Sequence, residues 1–235
     1  MQRYFALEKN NNTFLLRNDD YYHIKVVMRL KPNEKVEVVY NNEVYLSQIT
    51  SDYQIEEIEK MSSKETTIDA TIILPLLKEQ KMDLILQKAT ELGVSNIILF
   101  NAKRSIIKFD EKKEIKKLER WQRICKEAAE QSKRCTIPSI KFEKNINEFK
   151  FLEGLKLICS TVEESNNLKK VLQANKNCVK INMIVGPEGG FETTEEQKII
   201  NLGFVPVTLG NTIMRVETVP IFLLSVLNYE YMEWY

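Results

Sequence analysis

Apolar and polar positions alternate in two different ways along this chain, and the change of pattern falls near residue 60. Before it lie short runs rich in β-branched and aromatic residues: Leu15, Tyr22-His-Ile-Lys-Val-Val27, Lys35-Val-Glu-Val-Val-Tyr40, Val44-Tyr-Leu46 and Gln54-Ile-Glu-Glu-Ile58. Asn10-Asn-Asn12, Lys31-Pro-Asn33 and Asn41-Asn42 separate them with residues that favour turns. Such spacing predicts strands closing into a small β-barrel, with Asn41-Asn42 as a hairpin turn. Met61-Ser-Ser-Lys-Glu-Thr-Thr67 is polar and without apolar period, which reads as a linker.

Beyond it the pattern alternates strand with helix. Asp69–Pro75, Val94–Phe100, Leu155–Thr161 and Met183–Val185 read as buried strands. Met82–Leu92 places Ile85, Leu86, Ala89 and Leu92 on one helical face and ends at Gly93. Asp110–Lys133 is a long helix striped by Ile115, Leu118, Cys125 and Ala129, and Ser165–Asn175 is a shorter one. This βαβ order predicts a largely parallel sheet with helices on both faces. The expected division is residues 1–62 for the barrel and 69–235 for the α/β domain.

Composition narrows the function. A 43% hydrophobic content over 235 residues supplies a packed core. The chain shows neither a signal-peptide start nor an apolar run of about 20 residues, so the expectation is a soluble cytoplasmic protein with no membrane association. Cys125, Cys135, Cys159 and Cys178 are far apart, which favours free thiols over disulfides or metal ligation. His23 is the single histidine, read as structural or surface-exposed, and no Gly-x-Ser-x-Gly nucleophile is present. Charge is uneven: residues 103–134 hold twelve Lys or Arg against six Asp or Glu, a surface for phosphate or simply a solvated helix.

Two glycine-bearing loops carry the candidate chemistry. Ile184-Val-Gly-Pro-Glu-Gly-Gly-Phe191 and Leu209-Gly-Asn-Thr-Ile-Met-Arg-Val-Glu-Thr218 each follow an apolar run, at the strand ends where open α/β sheets bind ligands. The first is neither a phosphate-binding loop of the Walker type nor a dinucleotide fingerprint. Glu188 and Glu192 would repel a phosphate, so a neutral or cationic ligand fits better. Thr193-Thr-Glu-Glu196 offers a capping box to the next helix, and Thr218 with Pro220 reads as a helix start. Arg215 and Glu217 are either reactive groups at a strand end or an ordinary surface ion pair.

Several segments, in order along most of the chain, resemble the RsmE family of ribosomal RNA methyltransferases, members of the knotted SPOUT superfamily. They are His23-Ile-Lys-Val-Val-Met-Arg-Leu30, Gln87-Lys-Ala-Thr-Glu-Leu-Gly-Val94, Lys103-Arg-Ser105, Arg120-Trp121, Glu127-Ala-Ala-Glu-Gln-Ser-Lys-Arg134 and the two loops. The resemblance implies a PUA-like β-barrel followed by an α/β SPOUT domain with a trefoil knot, and a homodimer. It implies S-adenosylmethionine as cofactor, with no metal, and methylation of N3 of one uridine in 16S ribosomal RNA on the assembled small subunit. By carry-over, Thr161, Gly186, Pro187, Glu188, Gly189, Gly190, Leu209, Gly210, Ile213, Met214 and Arg215 bind the cofactor. Arg215 and Glu217 are the catalytic candidates, as a cation and as a base or positioning group, while Lys103, Arg104, Gln131 and Arg134 would face RNA or the dimer partner, with Arg29, Arg3 and Lys31 of the barrel as further RNA contacts. Thr212 departs from the family's usual arginine. Two alternatives stand beside this reading: a knotted methyltransferase for a different RNA base, and a non-catalytic RNA-binding ribosome-assembly factor of the same fold.

Overall fold

The computed structural model describes residues 1–62, 68–107 and 111–231, with side chains in the last segment from residue 116 onward. Most of the expected linker, 63–67, therefore lies outside the described residues, as do Asp110 and the side chain of Ile115. In chain order the elements are β1 (Arg3–Phe5), β2 (Glu8–Asn10), β3 (Thr13–Leu15), α1 (Asn18–Tyr22) running into a π-helical turn (His23–Val27), β4 (Lys35–Tyr40), β5 (Glu43–Ile49), β6 (Ile55–Met61), β7 (Asp69–Pro75), α2 (Glu79–Glu91) and β8 (Asn96–Phe100). There follow α3 (Glu111–Gln131), β9 (Ser139–Glu143), a 3-10 helix (Ile146–Phe151), β10 (Leu155–Cys159), α4 (Leu168–Ala174), β11 (Lys180–Ile184), α5 (Thr193–Asn201), β12 (Val205–Val207) and α6 (Thr218–Tyr231). They form two compact units, residues 1–65 with 127–136, and residues 66–126 with 137–235.

The first unit is a curled six-stranded sheet of order β1-β4-β5-β6-β3-β2, antiparallel except where β1 pairs with β4. Its core holds Tyr4, Phe14, Leu16, Ile24, Val36, Val38, Tyr45, Ile49 and Ile55. Asn41 and Asn42 both adopt positive φ (50° and 63°), the backbone of a two-residue hairpin whose twist matches its strands. One expected strand is helical instead: Tyr22–Val27 spans the end of α1 and the π turn. Only Ile24 in this run is buried, while Val26 and Val27 are exposed, so a β-branched run here is a surface turn and not a ladder. His23 is structural, its Nδ1 lying 3.0 Å from the Tyr4 hydroxyl.

Arg3 is not left free on the surface. It is buried, pairs with Glu37 (2.8 Å) and donates to the Lys133 and Arg134 carbonyls beyond the end of α3, a cap that the family resemblance did not indicate. Burial alone would push the Glu37 carboxyl up, but hydrogen bonds from Lys133 and Arg3 outweigh it and hold the group below its ordinary value of 4.5. A depressed carboxylate stabilises the fold above its unfolded value and loses that contribution as pH falls through the folded one. Glu37→Gln should therefore lower the denaturant midpoint at neutral pH, and the gap from wild type should close as pH is taken below 4.5. A gap independent of pH would show that packing and not charge is responsible.

The second unit is a six-stranded, wholly parallel sheet of order β12-β10-β11-β7-β8-β9. Alternate residues face opposite layers, as a period of two requires. Ala70, Ile72, Leu74, Ile97, Leu99, Leu157, Ile181 and Met183 share a core with α2, α4 and α6. Ile73, Ile98, Phe100, Ile158 and Ile184 share the other with Phe149, Ile199 and Phe204. Burial on both faces explains why these strands read as unbroken apolar runs. Alternation did not indicate β9, which carries polar Ser139 and Lys141, whereas the strand expected ahead of the second glycine loop is β12, a three-residue edge strand centred on Pro206.

Candidate active site

Every strand of the second sheet points the same way, so the loops after β8, β10, β11 and β12 gather at one end, together with the start of α2 after β7. There they enclose a cavity of about 1250 Å³. Its walls include the whole of Gly186–Phe191 and Leu209–Glu217, together with Lys81, Arg104 and Ser160–Glu164. All the expected cofactor positions (Thr161, Gly186, Pro187, Glu188, Gly189, Gly190, Leu209, Gly210, Ile213, Met214 and Arg215) and the expected catalytic Glu217 thus line one space.

Local chemistry explains the loop shapes. Pro187–Gly190 is a tight turn, closed by the Gly190 amide donating to the Pro187 carbonyl at 2.9 Å, with Gly190 at φ +67°. At Gly186 a Cβ would lie 3.1 Å from two ring atoms of Phe191, so a side chain here would crowd that ring. The expected capping box does not form. Glu192 takes the N-cap position of α5 without a side-chain cap, because Glu192 is turned toward Lys103 (3.1 Å) and Thr194 (3.2 Å). The helix expected from Ser165 begins only at Leu168, since Glu163 accepts hydrogen bonds from Ser165 and Asn166 and so fixes them in a turn before the Asn167 cap. Asn166 and Leu168 then hydrogen-bond Thr208, which joins the β10 loop to the β12 loop.

Arg215 and Glu217 do not form the ion pair that their spacing allowed. Glu217 Oε2 faces Lys81 Nζ at 3.2 Å, an ion-pair contact without hydrogen-bond alignment, and Lys81 also reaches Glu188 at 3.1 Å. Among the described residues, the exposed Arg215 guanidinium has no carboxylate within ion-pair distance. Its carbonyl instead accepts from the amides of Thr218 and Val219 and starts α6. The Glu217 carboxyl is held below the ordinary range by its own backbone amide, then by Lys81 and Arg215, against the opposing effect of burial. Cys159 lines the cavity too. Although the residue keeps some accessible surface, its thiol is enclosed closely enough that burial pushes it up to about 12, so it stays protonated and is no nucleophile.

The expected RNA-facing residues separate. Arg104 stands at the cavity, donating to the Gly189 carbonyl at 3.0 Å. Lys103 pairs with Glu192, and its amide donates to the buried Glu195 at 2.9 Å, so it ties the β8 loop to α5. Arg29, Gln131 and Arg134 belong to the first unit. Arg29 is exposed at φ 53°, a left-handed backbone unusual for arginine; Gln131 is exposed, and Arg134 is half-buried with Thr136 at 3.2 Å. Lys81 is the residue that sequence reasoning missed, since nothing in its helical turn marks a partner 107 positions away.

A family model described as an RNA methyltransferase domain matches residues 64–228. The chain is 37% identical to ribosomal RNA small subunit methyltransferase E of Mesomycoplasma hyopneumoniae, over 96% of this chain and 98% of that protein. The protein of the same name from Bacillus subtilis is 30% identical, over 98% and 97%. Among solved structures, a ribosomal RNA small subunit methyltransferase E from Neisseria gonorrhoeae bound to S-adenosyl methionine superposes with a TM-score of 0.87 at 27% identity, covering 98% of both chains.

Proposed function

Since the chain belongs to the RsmE family of RNA methyltransferases, and is thus an S-adenosylmethionine-dependent enzyme acting on small-subunit ribosomal RNA, we propose that it methylates N3 of a specific uridine in 16S ribosomal RNA on the assembled small subunit, in the cytoplasm. The observation that carries this reading is the cavity at the strand ends. Its residues suit the cofactor: Glu188 and Glu217 accept a cationic sulfonium, and Leu209, Ile213 and Met214 offer an apolar slot for adenine. At about 1250 Å³ it exceeds the roughly 300–1,000 Å³ that a single small ligand occupies, leaving room for a nucleobase beside the donor.

The bound cofactor supplies an activated methyl group; the protein's task is to hold it and to prepare N3. Backbone from Gly186 to Gly190 and from Leu209 to Arg215 grips the donor, with Thr161 at the edge. N3 of uracil is a weak acid, and the pyrimidine becomes anionic as its proton leaves. Arg215, without a carboxylate partner, is placed to stabilise that charge. Glu217 is better suited to positioning than to accepting the proton, because a depressed carboxylate is a weaker base.

The finer architecture belongs to the same proposal. In the first sheet, the terminal strands β1 and β2 are joined by only Ala6-Leu7, which draws the edges together as a PUA-like barrel requires. In the second, the chain leaves edge strand β12 and returns as α6 against α2, past the β10 loop to which Thr208 is bonded, a path compatible with a trefoil knot. Val162 and Ile213 at the cavity, 76% and 86% exposed, are apolar side chains that a second copy of the chain could cover. Arg104, with Arg29, Gln131 and Arg134 of the first unit, are the proposed RNA contacts, Lys103 the least free of them.

Mass spectrometry of small-subunit RNA from cells lacking the gene tests the substrate. Loss of N3-methyluridine, restored by the wild-type gene, is the expected result. Unchanged N3-methyluridine would reject the uridine assignment, and loss of a different methylated base would identify another knotted methyltransferase.

A further inference from the structure

Resting on the reading of the cavity as the methyl-donor site, we propose that Lys81 is a positioning residue that latches the two donor loops to each other through Glu188 and Glu217. Its Nζ lies 3.1 Å from Glu188 in the first loop and 3.2 Å from Glu217 in the second, and it lines the cavity. No other side chain described here joins the two loops by ion pairs to both.

The position of Lys81 argues for a purpose beyond local stability. It lies in the first turn of α2, where the Lys81 amide donates to the Lys78 carbonyl and the helix dipole presents its positive end. A cation there is opposed by the dipole. The two carboxylates offset that cost, so the lysine is held by the loops and the loops by the lysine. Hydrogen bonding to Glu188 raises the Lys81 amine above its ordinary value, with Glu217 adding to the effect, and keeps it charged.

The turn that carries Lys81 is itself fixed from another side. Arg120 of α3 holds Asp83 by two hydrogen bonds of 3.0 and 2.7 Å and pairs with Glu79 at 2.6 Å. Beneath, Met82, Ile85 and Leu86 are fully buried. Lys81 therefore projects from a rigid platform toward two loops that meet it only through their carboxylates. A supporting group on a rigid element is what preorganises a site built from loops. The net charge of the triad is −1, which also suits a cationic donor.

Three variants test the latch: Lys81→Met, Lys81→Arg, and Lys81→Met combined with Glu188→Gln. In the free protein, amide hydrogen exchange across 186–190 and 209–217 should quicken several-fold in Lys81→Met, with α2 and the sheet unchanged, and return toward wild type in Lys81→Arg. In methyl-transfer assays the donor KM should rise about tenfold in Lys81→Met while kcat falls less than about threefold, because a bound donor itself bridges the loops. In amide exchange, a readout that needs no donor, the double variant should gain little beyond Lys81→Met, since both changes cut one contact. Unchanged exchange in both loops, or no recovery in Lys81→Arg, would overturn the latch. If the wild-type protein binds no S-adenosylmethionine, the functional reading fails, and the exchange result still decides whether Lys81 joins the loops.

Discussion

Replacing Arg215 by alanine is expected to lower turnover on small-subunit RNA by about 100-fold or more, the usual cost of removing one group aimed at developing negative charge. Affinity for S-adenosylmethionine should change by less than about threefold if, as proposed, the donor is held by loop backbone that the substitution leaves in place. Two features make the separation of effects attainable. The Arg215 guanidinium is exposed and has no carboxylate partner among the described residues, so truncating it strands no buried charge. What the residue gives the fold is its carbonyl, which starts α6, and alanine keeps that. Single-turnover transfer measured beside calorimetry with the donor separates the two roles. Equal losses in both would mean that Arg215 only binds, and an unaltered rate would remove it from the mechanism.

The separate environments of Arg215 and Glu217 bear on the same step. Alternating charges one residue apart suggested either an ion pair or a reactive couple, and the structure gives Glu217 to Lys81 instead. A carboxylate held in its charged form by a backbone amide and a lysine can orient a substrate donor group or the donor cation, but it has little tendency to take up a proton. On the proposed reaction, that leaves Arg215 as the group to stabilise an anion at N3. Cys159, whose thiol stays protonated, offers no covalent route beside it.

What could be read in the sequence was what depends on local rules. Buried parallel strands show as apolar runs, glycine loops follow them, and Asn41-Asn42 marks a hairpin because both residues tolerate positive φ. The wall of the cavity was therefore legible from two segments within residues 184–218. The misreadings have two causes, a segment mostly exposed and competition from distant partners. Tyr22–Val27 has strand composition, yet its one buried side chain, Ile24, favours a helical turn over a ladder. Thr193 lost the N-cap because Lys103 takes Glu192, and Arg3 was drawn inward by Glu37 and two carbonyls more than a hundred positions away. Lys81 was invisible for the same reason. Periodicity reports which face of an element is buried, not which loop a polar group will meet.

Substituting Gly186 should weaken donor binding in proportion to side-chain size, about tenfold for Gly186→Ala and about 100-fold for Gly186→Val, as overpacking of about 1–3 kcal/mol against the loop would do. A Cβ at this position would lie 3.1 Å from both Cδ2 and Cε2 of Phe191. That ring cannot withdraw cheaply. It stacks on Phe100 at 6.5 Å with an interplanar angle of 21°, and Phe100 is fully buried with its edge against Phe149 at 5.8 Å. The core backs one face of the ring, so the main chain at residue 186 is expected to yield with it and to shift the Pro187–Gly190 turn. Overpacking of this kind costs about 1–3 kcal/mol, so the protein should stay folded while its loop is displaced. Calorimetry with S-adenosylmethionine and thermal melting, run on the same samples, separate the two effects. Phe191→Leu introduced into Gly186→Ala should recover part of the lost affinity by relieving the contact. Donor affinity equal to wild type in Gly186→Val would mean that the Gly186–Gly190 backbone does not hold the cofactor, and the site would have to be assigned to the Leu209–Arg215 loop alone.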